Sequence, residues 1–287
     1  MSYKICSIGE CMIELTNIDN KNYSLSVAGD TLNFCFYLNK ELFNVFYFTS
    51  IGNSEMSKEA LFFFKKNNIN TKLVHKDLNN EIGLYIIKNK KSGEKKFYYW
   101  RDNSAAKYYL NNLNVKKISK KIKNFDFLYL SGITLSLIEI KNLNNIIDFI
   151  NFCKSKNCKI IFDLNIRIKR WNKKKLLSFL NIILLKVDIF FASGEDVKFW
   201  KGNDKISTFL DIIRKNKIPH GIYRKNAKCN YAFLKKNKYI IQNKILNKVV
   251  DSSGAGDGYN ATYLSNFIQT NDPKKALIAA SKIGAKI

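Results

Sequence analysis

The chain has 287 residues, of which 46% are hydrophobic and 25% are charged. These values are ordinary for a folded globular protein, and they exclude a disordered chain, a collagen-like chain and a disulfide-rich miniature. No apolar run reaches the roughly 18–20 residues that a membrane-spanning helix needs, and the first residues lack the long apolar segment of a secretory signal. We therefore expect a cytoplasmic protein without a membrane partner.

The charge is strongly positive, with 49 Lys and Arg against 23 Asp and Glu and a formal net charge of +26. A nucleic-acid partner is one interpretation. The basic residues, however, are 44 Lys and only 5 Arg, accompanied by 36 Asn, and the lysines are scattered through every segment. We attribute the charge to AT-rich codon usage and predict no nucleic-acid partner. Each Arg is then informative, because its planar guanidinium can form two parallel hydrogen bonds with a carboxylate or phosphate, which Lys cannot do.

Strand-like apolar runs alternate with helix-like stretches along the chain. The predicted strands are 4–8, 45–51, 125–131, 159–163, 187–192 and 221–223. The predicted helices are 31–42, 55–67, 137–156, 174–186 and 255–269. This alternation indicates an α/β fold whose mostly parallel sheet is covered by helices on both faces.

Two segments break this rhythm with strand-like patterns of their own. Residues 23–28 form one short strand, and the region from about 71 to 100 reads as strand, turn and strand. We predict that about 21–28 and 71–101 form a small antiparallel lid over a cleft at the carboxyl ends of the parallel strands.

The cysteines and histidines indicate no metal site. The six cysteines form no Cys-x-x-Cys pair, and the two histidines, His75 and His220, lie far from them in sequence. This is not the spacing of a zinc site. We expect reduced thiols and structural or surface histidines.

The most informative stretch is 251–259, which reads Asp-Ser-Ser-Gly-Ala-Gly-Asp-Gly-Tyr. Its small residues let backbone N–H groups turn toward a ligand, and the helix predicted to follow adds a positive end that suits an anion. Asp257 could accept a proton from a substrate hydroxyl, as phosphoryl transfer to an alcohol requires. The alternative is an ordinary helix N-cap.

Residues 251–257 resemble the Asp-Thr-x-Gly-Ala-Gly-Asp signature of the ribokinase-like (PfkB) sugar kinases, with Ser at the Thr position. The resemblance implies a single ribokinase-like kinase domain over 1–287, a three-layer sandwich that uses ATP and Mg²⁺. It also implies that Asp257 is the catalytic base. The amides of Gly254, Ala255 and Gly256 would form an anion hole, and Gly254 and Gly256 would contact the nucleotide.

Residues 9–15 and 28–33 are similar to the branch of that family that phosphorylates 2-dehydro-3-deoxygluconate. The resemblance implies that Gly29, Asp30 and Asn33 meet the sugar hydroxyls. Their chemistry is suitable, since Asp accepts hydrogen bonds while Asn both donates and accepts them. The alternative for Asp30 is that it only caps the following helix.

Residues 97–101, Phe-Tyr-Tyr-Trp-Arg, give a second indication of the substrate. A carboxylate on the substrate would explain Arg101, because a hydrogen bond to a charged group contributes about 1.5–3 kcal/mol. The resemblance implies substrate contacts by Tyr99 and Arg101, and Tyr85 on the neighbouring strand fits a further one. For Tyr98 and Trp100 we accept simple packing.

Asp163, Asn165 and Arg167 alternate where a predicted strand ends, so their side chains point to one face. We predict that Arg167 bridges the sugar acid and the transferred phosphate, and that Asn165 lies by the nucleotide phosphates. The alternative for Arg167 is an ion pair with Asp163. Glu195 or Asp196 is the candidate to organise Mg²⁺ through water.

Two features depart from the family pattern. The family's Lys-x-Gly-x-x-Gly turn is missing, because residues 223–229 contain no glycine. Arg224 and Lys225 remain there as candidate nucleotide-binding residues. The sequence also ends at Ile287, earlier than in most members, so we expect either an eroded gene or a trimmed nucleotide pocket.

We predict an ATP-dependent kinase that converts 2-dehydro-3-deoxy-D-gluconate to its 6-phosphate. A related kinase for a neutral sugar such as fructose or ribose is the first alternative. A basic nucleic-acid-binding protein on an inactive kinase fold is the second, and it requires a continuous basic face and steeply salt-dependent binding. The resemblance also leads us to expect a homodimer formed through the exposed lid.

Overall fold

The computed structural model describes residues 2–19, 21–89, 95–122, 124–167, 171, 173–226, 229–242 and 254–284. The strands are β1 (Tyr3–Ile8), β2 (Met12–Asn17), β3 (Tyr23–Ala28), β4 (Phe43–Ile51), β5 (Ile69–Asn70), β6 (Val74–Lys76), β7 (Gly83–Asn89), β8 (Lys95–Trp100), β9 (Phe127–Ser131), β10 (Lys159–Asp163), β11 (Ile189–Ser193), β12 (His220–Arg224), β13 (Cys229–Leu234) and β14 (Asn237–Gln242). The helices are α1 (Asp30–Tyr37), α2 (Glu55–Lys66), α3 (Ala105–Asn111), α4 (Val115–Ile122), α5 (Gly132–Leu137), α6 (Leu143–Ser155), α7 (Lys173–Ile183), α8 (Gly194–Lys201), α9 (Ile206–Lys215), α10 (Ala255–Thr270) and α11 (Pro273–Gly284).

Ten of the described strands form the main sheet, in the order β14-β13-β12-β11-β10-β9-β1-β4-β5, and β6 also pairs with β4. Every pair from β12 to β5 is parallel, whereas β12, β13 and β14 are joined as antiparallel neighbours. The carboxyl ends of the parallel strands therefore meet at one edge. The strand order changes direction at β1, which lies between β9 and β4.

Both faces of the main sheet are buried. On β9, Phe127 and Tyr129 belong to one core while Leu128 and Leu130 belong to the other. Helices α1, α2, α10 and α11 cover the first face, and helices α3 to α9 contribute to the second core. Because both faces need apolar residues, the central strands read as continuous apolar runs. This is the predicted three-layer α/β architecture.

The small sheet has the order β3-β2-β7-β8. β2 pairs with β3 and β7 with β8 in antiparallel fashion, while the central pair β2 and β7 is parallel. Two predicted boundaries are wrong. Strand β2 also belongs to this sheet, and the second segment begins at Gly83 rather than near residue 71, because β6 pairs with residues 49–51 of the main sheet.

Two predicted helices differ from the observed bounds by five or more residues. The helix predicted over 137–156 begins only at Leu143, as α6, because Leu137 ends α5, Ile138 is extended and a short 3-10 turn follows at Ile140–Asn142. Helix α1 ends at Tyr37 instead of residue 42, because Leu38 is extended. The Lys40 ammonium donates to the Phe36 and Leu38 carbonyls, both at 3.1 Å, and so satisfies acceptors that the ended helix leaves open.

The chain passes between the two sheets at residues 9–11, 29, 77–82 and 101–104. These crossings are short, and they hold the small sheet next to the carboxyl edge of the main one. No helix in the part of the chain that the structure describes is long and apolar enough to span a membrane.

Candidate active site

The predicted site residues collect at the carboxyl edge of the main sheet, beside β1. In open α/β sheets this change of strand order leaves a crevice in which ligands bind. Helices α1 and α10 lie against each other at this edge, and the small sheet adjoins it through the four crossings. The site has two ends, which we call the phosphate end (around the start of α10) and the sugar end (around the crossing at 101–104).

Asp257 lies in the first turn of α10 and is buried. The Asn33 side-chain amide, from α1, donates to the Asp257 carboxylate at 2.9 Å. Burial raises the pKa of Asp257 well above its ordinary value, and the nearby charge of Asp30 raises it further; Asn33 and Arg224 act in the opposite direction. The packing of α1 on α10 therefore brings together the predicted base and a predicted sugar contact.

Gly254, Ala255 and Gly256 form the start of α10, where the first N–H groups of a helix have no partner within the helix. Gly254 is the N-cap with a φ of 78°, a left-handed conformation that glycine adopts without strain. A Cβ on Gly256 would lie 2.5 Å from a terminal nitrogen of Arg224, so glycine is what lets the guanidinium approach the helix. Residues 251–253 of the predicted signature lie outside the described residues.

Arg224 ends β12 and reaches across to β10. Its guanidinium lies 3.8 Å from the Asp163 carboxylate and 5.5 Å from the ring centre of Tyr259. Asp163 is buried, and burial raises its pKa to about 7 although the charge of Arg224 lowers it. The alternative considered for Arg167, an ion pair with Asp163, is replaced by this contact with Arg224.

Asp30 is buried at the start of α1 and receives a hydrogen bond of 3.2 Å from the Asn165 side-chain amide. Burial raises the pKa of Asp30; a hydrogen bond with Ser131 and the charges of Arg167 and Arg101 lower it. Asn165 thus contacts the sugar-binding candidate Asp30, and its predicted place by the nucleotide phosphates stays a prediction. Arg167 is exposed at the rim of this group.

The sugar end contains the aromatic residues of the small sheet. Arg101 is buried and forms an ion pair with Glu10. The ring of Tyr99 lies 6.0 Å from the Arg101 guanidinium and stacks on Tyr85 at 5.6 Å. The Tyr85 hydroxyl donates to Glu14. Tyr85, Tyr99 and Arg101 are therefore neighbours, and their contacts with a substrate stay predictions.

Two further aromatic side chains lie on β8. Tyr98 is 36% exposed, with the Lys96 ammonium 5.0 Å from its ring centre, and Trp100 is 56% exposed. Their packing roles stay predictions.

The sequence interpretation missed Glu10 and Glu14, whose carboxylates hold Arg101 and Tyr85. It also missed Ser131, whose hydroxyl at the end of β9 lowers the pKa of Asp30. One signal was available, because Glu10 and Ser131 both lie at the carboxyl ends of parallel strands. The pairing of Glu14 with Tyr85 depends on the register of β2 against β7, which the sequence does not specify.

The two metal candidates differ in their surroundings. One oxygen of Asp196 accepts from the Ile166 backbone N–H at 2.7 Å, and the other accepts from the Ser193 hydroxyl at 2.6 Å. Asp196 thereby completes the capping box of α8, whose N-cap is Ser193, whereas Glu195 is exposed in the same turn. Among the described residues, no group of three or more His, Cys, Asp or Glu could hold a metal ion.

Lys225 follows β12, next to the start of α8. Its carbonyl packs closely against Gly194, and its backbone N–H donates to Cys229 at 3.2 Å. The half-buried Lys225 and Arg224 thus lie side by side at the sheet edge, and their predicted contacts with a nucleotide stay predictions.

Residues 2–287 match the family described as pfkB family carbohydrate kinase. The chain is 33% identical over 282 residues to 2-dehydro-3-deoxygluconokinase of Haemophilus influenzae, covering 93% of this chain and 87% of that protein. Its fold is similar to a 2-dehydro-3-deoxygluconokinase from Thermotoga maritima (20% identity, TM-score 0.82, 100% and 92% coverage). It is also similar to a putative ribokinase II from Escherichia coli in complex with ATP and Mg²⁺ (14% identity, TM-score 0.83, 99% and 92% coverage). The chain belongs to the pfkB family of carbohydrate kinases.

Proposed function

We propose that this kinase transfers the terminal phosphoryl group of ATP to the 6-hydroxyl of 2-dehydro-3-deoxy-D-gluconate, with Asp257 as the general base. One observation carries the proposal: the buried carboxylate of Asp257 lies in the first turn of α10, held by Asn33 from the sugar-binding helix α1. A base beside unpaired helix N–H groups suits proton removal from an alcohol that attacks a phosphate.

At the phosphate end, Asp257 takes the proton of the attacking hydroxyl. The N–H groups of Gly254, Ala255 and Gly256 then donate to the phosphoryl oxygens as negative charge develops on them. Arg224 lies against Gly256 and adds a positive charge to the same place. The raised pKa of Asp257 suits this residue to the role of general base, because a carboxylate with a higher proton affinity is a stronger base near neutral pH.

At the sugar end, Gly29, Asp30 and Asn33 contact the sugar hydroxyls, and Tyr85, Tyr99 and Arg101 contact the acid end. Arg167, which is exposed at the rim of the site, bridges the sugar acid and the transferred phosphate. Support for an acidic substrate comes from Arg101 and from the relative at 33% identity named 2-dehydro-3-deoxygluconokinase. The exposed face of Tyr99 leaves it free to contact a ligand.

The nucleotide is ATP in this proposal, supported by the ATP and Mg²⁺ named for a structural neighbour. Arg224, Lys225, Asn165 and Arg167 are its candidate contacts. Of the two metal candidates, Asp196 fits Mg²⁺ poorly because both oxygens already accept hydrogen bonds, and the exposed Glu195 fits a contact through water. Bound with the nucleotide, Mg²⁺ would neutralise charge on the phosphates.

A neutral sugar remains the second candidate substrate, and one observation favours it. The charge of Arg101 is already matched by Glu10, so the sugar end is less positive than a free arginine would make it. A hydroxyl could then take the place of a carboxylate against the remaining N–H groups.

A coupled assay of ADP release separates the two candidates with 2-dehydro-3-deoxygluconate, fructose and ribose as substrates. We expect the highest kcat/KM with the sugar acid. In Arg101→Lys, the KM for that acid should rise about ten- to a hundredfold, because an ammonium cannot replace the planar, two-pronged guanidinium against a carboxylate. Glu55→Gln is the control, because Glu55 forms an ion pair with Lys58 in which both side chains are exposed. A preference for fructose or ribose would contradict the acidic substrate, and so would an unchanged KM in Arg101→Lys.

We also propose a homodimer formed through the small sheet. Phe97 and Trp100 on β8, the last strand of the small sheet in the described part of the chain, are 40% and 56% exposed, and apolar groups at a sheet edge favour association. Light scattering of the wild type and of Phe97→Lys tests this. We expect the wild type to be a dimer and Phe97→Lys to be a monomer. A monomeric wild type would contradict the proposed homodimer.

A further inference from the structure

Glu10 occupies the first crossing between the two sheets and is only 2% exposed. One oxygen of its carboxylate accepts from Arg101, and the other accepts from the Ser104 hydroxyl. A buried carboxylate is tolerated only when it is paired and hydrogen-bonded. Both oxygens are used here, so the plane of the carboxylate is fixed.

The surroundings leave little room for Glu10 and Arg101 to move. A Cβ on Gly83, the first residue of β7, would lie 3.2 Å from the Arg101 Cβ and 3.3 Å from a Glu10 oxygen. The absence of a side chain at this position lets the two charged residues meet between the sheets.

The guanidinium of Arg101 has donors left over. It bonds to Glu10 through one terminal nitrogen, while its Nε is buried and has no hydrogen-bond partner in the part of the chain that the structure describes. A buried donor without a partner is costly, and such groups in native proteins often await a ligand. The charge of Arg101 also lowers the pKa of Asp30 at the start of α1.

We propose that Glu10 is a positioning residue for the kinase reaction: it holds one terminal nitrogen of Arg101 and thereby orients the guanidinium so that its remaining donors serve the sugar. The inference rests on the proposed function, since it needs a substrate at Arg101. Glu10 acts through the placement of Arg101, and its reach and its acceptor atom matter more than its charge.

Three variants separate placement from charge. Glu10→Asp keeps the charge but shortens the reach, and we expect the KM for the sugar to rise about tenfold, because a misplacement of about 1 Å is costly. Glu10→Gln keeps the reach and an acceptor oxygen for Arg101, and its KM should stay within about threefold of the wild type. The kcat and the KM for ATP should change little in either variant. The third variant, Glu10→Asp combined with Arg101→Met, should show no further rise over Arg101→Met alone.

The assay uses the full chain with the sugar that gives the highest kcat/KM, with Glu55→Gln as the control and thermal unfolding as the check on folding. The inference is overturned if Glu10→Asp behaves as the wild type, if Glu10→Gln is as impaired as Glu10→Asp, or if Glu10→Asp has its full effect without Arg101. Should the best sugar be neutral, the proposed substrate is wrong, yet the same comparison still decides whether Glu10 positions Arg101.

Discussion

The two ends of the cleft bury charge in different ways. At the phosphate end, two buried carboxylates, those of Asp163 and Asp257, lie under the charge of a single arginine, Arg224, and burial raises the pKa of each. At the sugar end, Glu10 and Arg101 form a matched pair. Unmatched carboxylates are costly to bury and are typical of sites that handle protons and phosphates. The matched pair instead provides a fixed geometry.

The comparison predicts the largest effect for the base. In Asp257→Asn the side-chain oxygen can still accept from Asn33, so the fold is retained, but no proton can be taken from the hydroxyl. We expect kcat to fall by about 10²–10⁴-fold. The coupled assay measures this, and circular dichroism checks the fold. A kcat close to that of the wild type would show that Asp257 is not the base.

The raised pKa of Asp163, about 7, predicts a pH-dependent stability. Because the folded protein holds this proton more tightly than the unfolded chain does, the contribution of Asp163 to stability is complete below about pH 4 and is lost as the pH rises to about 7. Relative to Asp163→Asn, the free energy of unfolding of the wild type should fall by up to about 1.4 kcal/mol per pH unit in this window.

Urea unfolding of both proteins between pH 4 and pH 8 measures that slope. Parallel curves for the two proteins would mean that Asp163 is ionised throughout. The phosphate end would then lack the unmatched buried carboxylates that distinguish it from the sugar end.

A smaller effect is expected where Arg224 meets α10. In Gly256→Ala the new Cβ lies in the position of the guanidinium, so Arg224 must move away from the anion hole. We expect the KM for ATP to rise about tenfold, because one modest charge-assisted hydrogen bond is lost. Gly202→Asn, at the left-handed end of α8 and with nothing within 4 Å of its Cβ position, is the control. An unchanged KM for ATP in Gly256→Ala would show that Arg224 does not contact the nucleotide.

Much of the fold could be predicted because the central strands and the helices around them have strong patterns. Short apolar strands such as β10 are buried on both faces, and Asp163 marks where the strand ends. Strand β2 was missed because only three residues separate it from β1, so the two read as one segment. The late start of α6 was missed because Leu137, Ile138 and Ile140 extend the apolar pattern of α6 toward the N-terminus.

At the site, Gly254, Ala255, Gly256 and Asp257 belong to one local motif, and adjacency along the chain brings them together. The partners of these residues are different. Glu10 and Arg101 are 91 positions apart, and Arg224 meets Asp163 only because β12 and β10 flank β11. Such pairs depend on the order of strands in the sheet, which the periodicity of a single sequence does not contain.

The central claim is that one substrate reaches from Asp257 at the phosphate end to Arg101 at the sugar end. A crystal structure of Asp257→Asn with 2-dehydro-3-deoxygluconate tests it most directly. We expect the 6-hydroxyl within hydrogen-bond distance of residue 257 and the carboxylate in contact with the Arg101 guanidinium. A sugar acid bound with its carboxylate away from Arg101, or with its 6-hydroxyl remote from residue 257, would contradict the account.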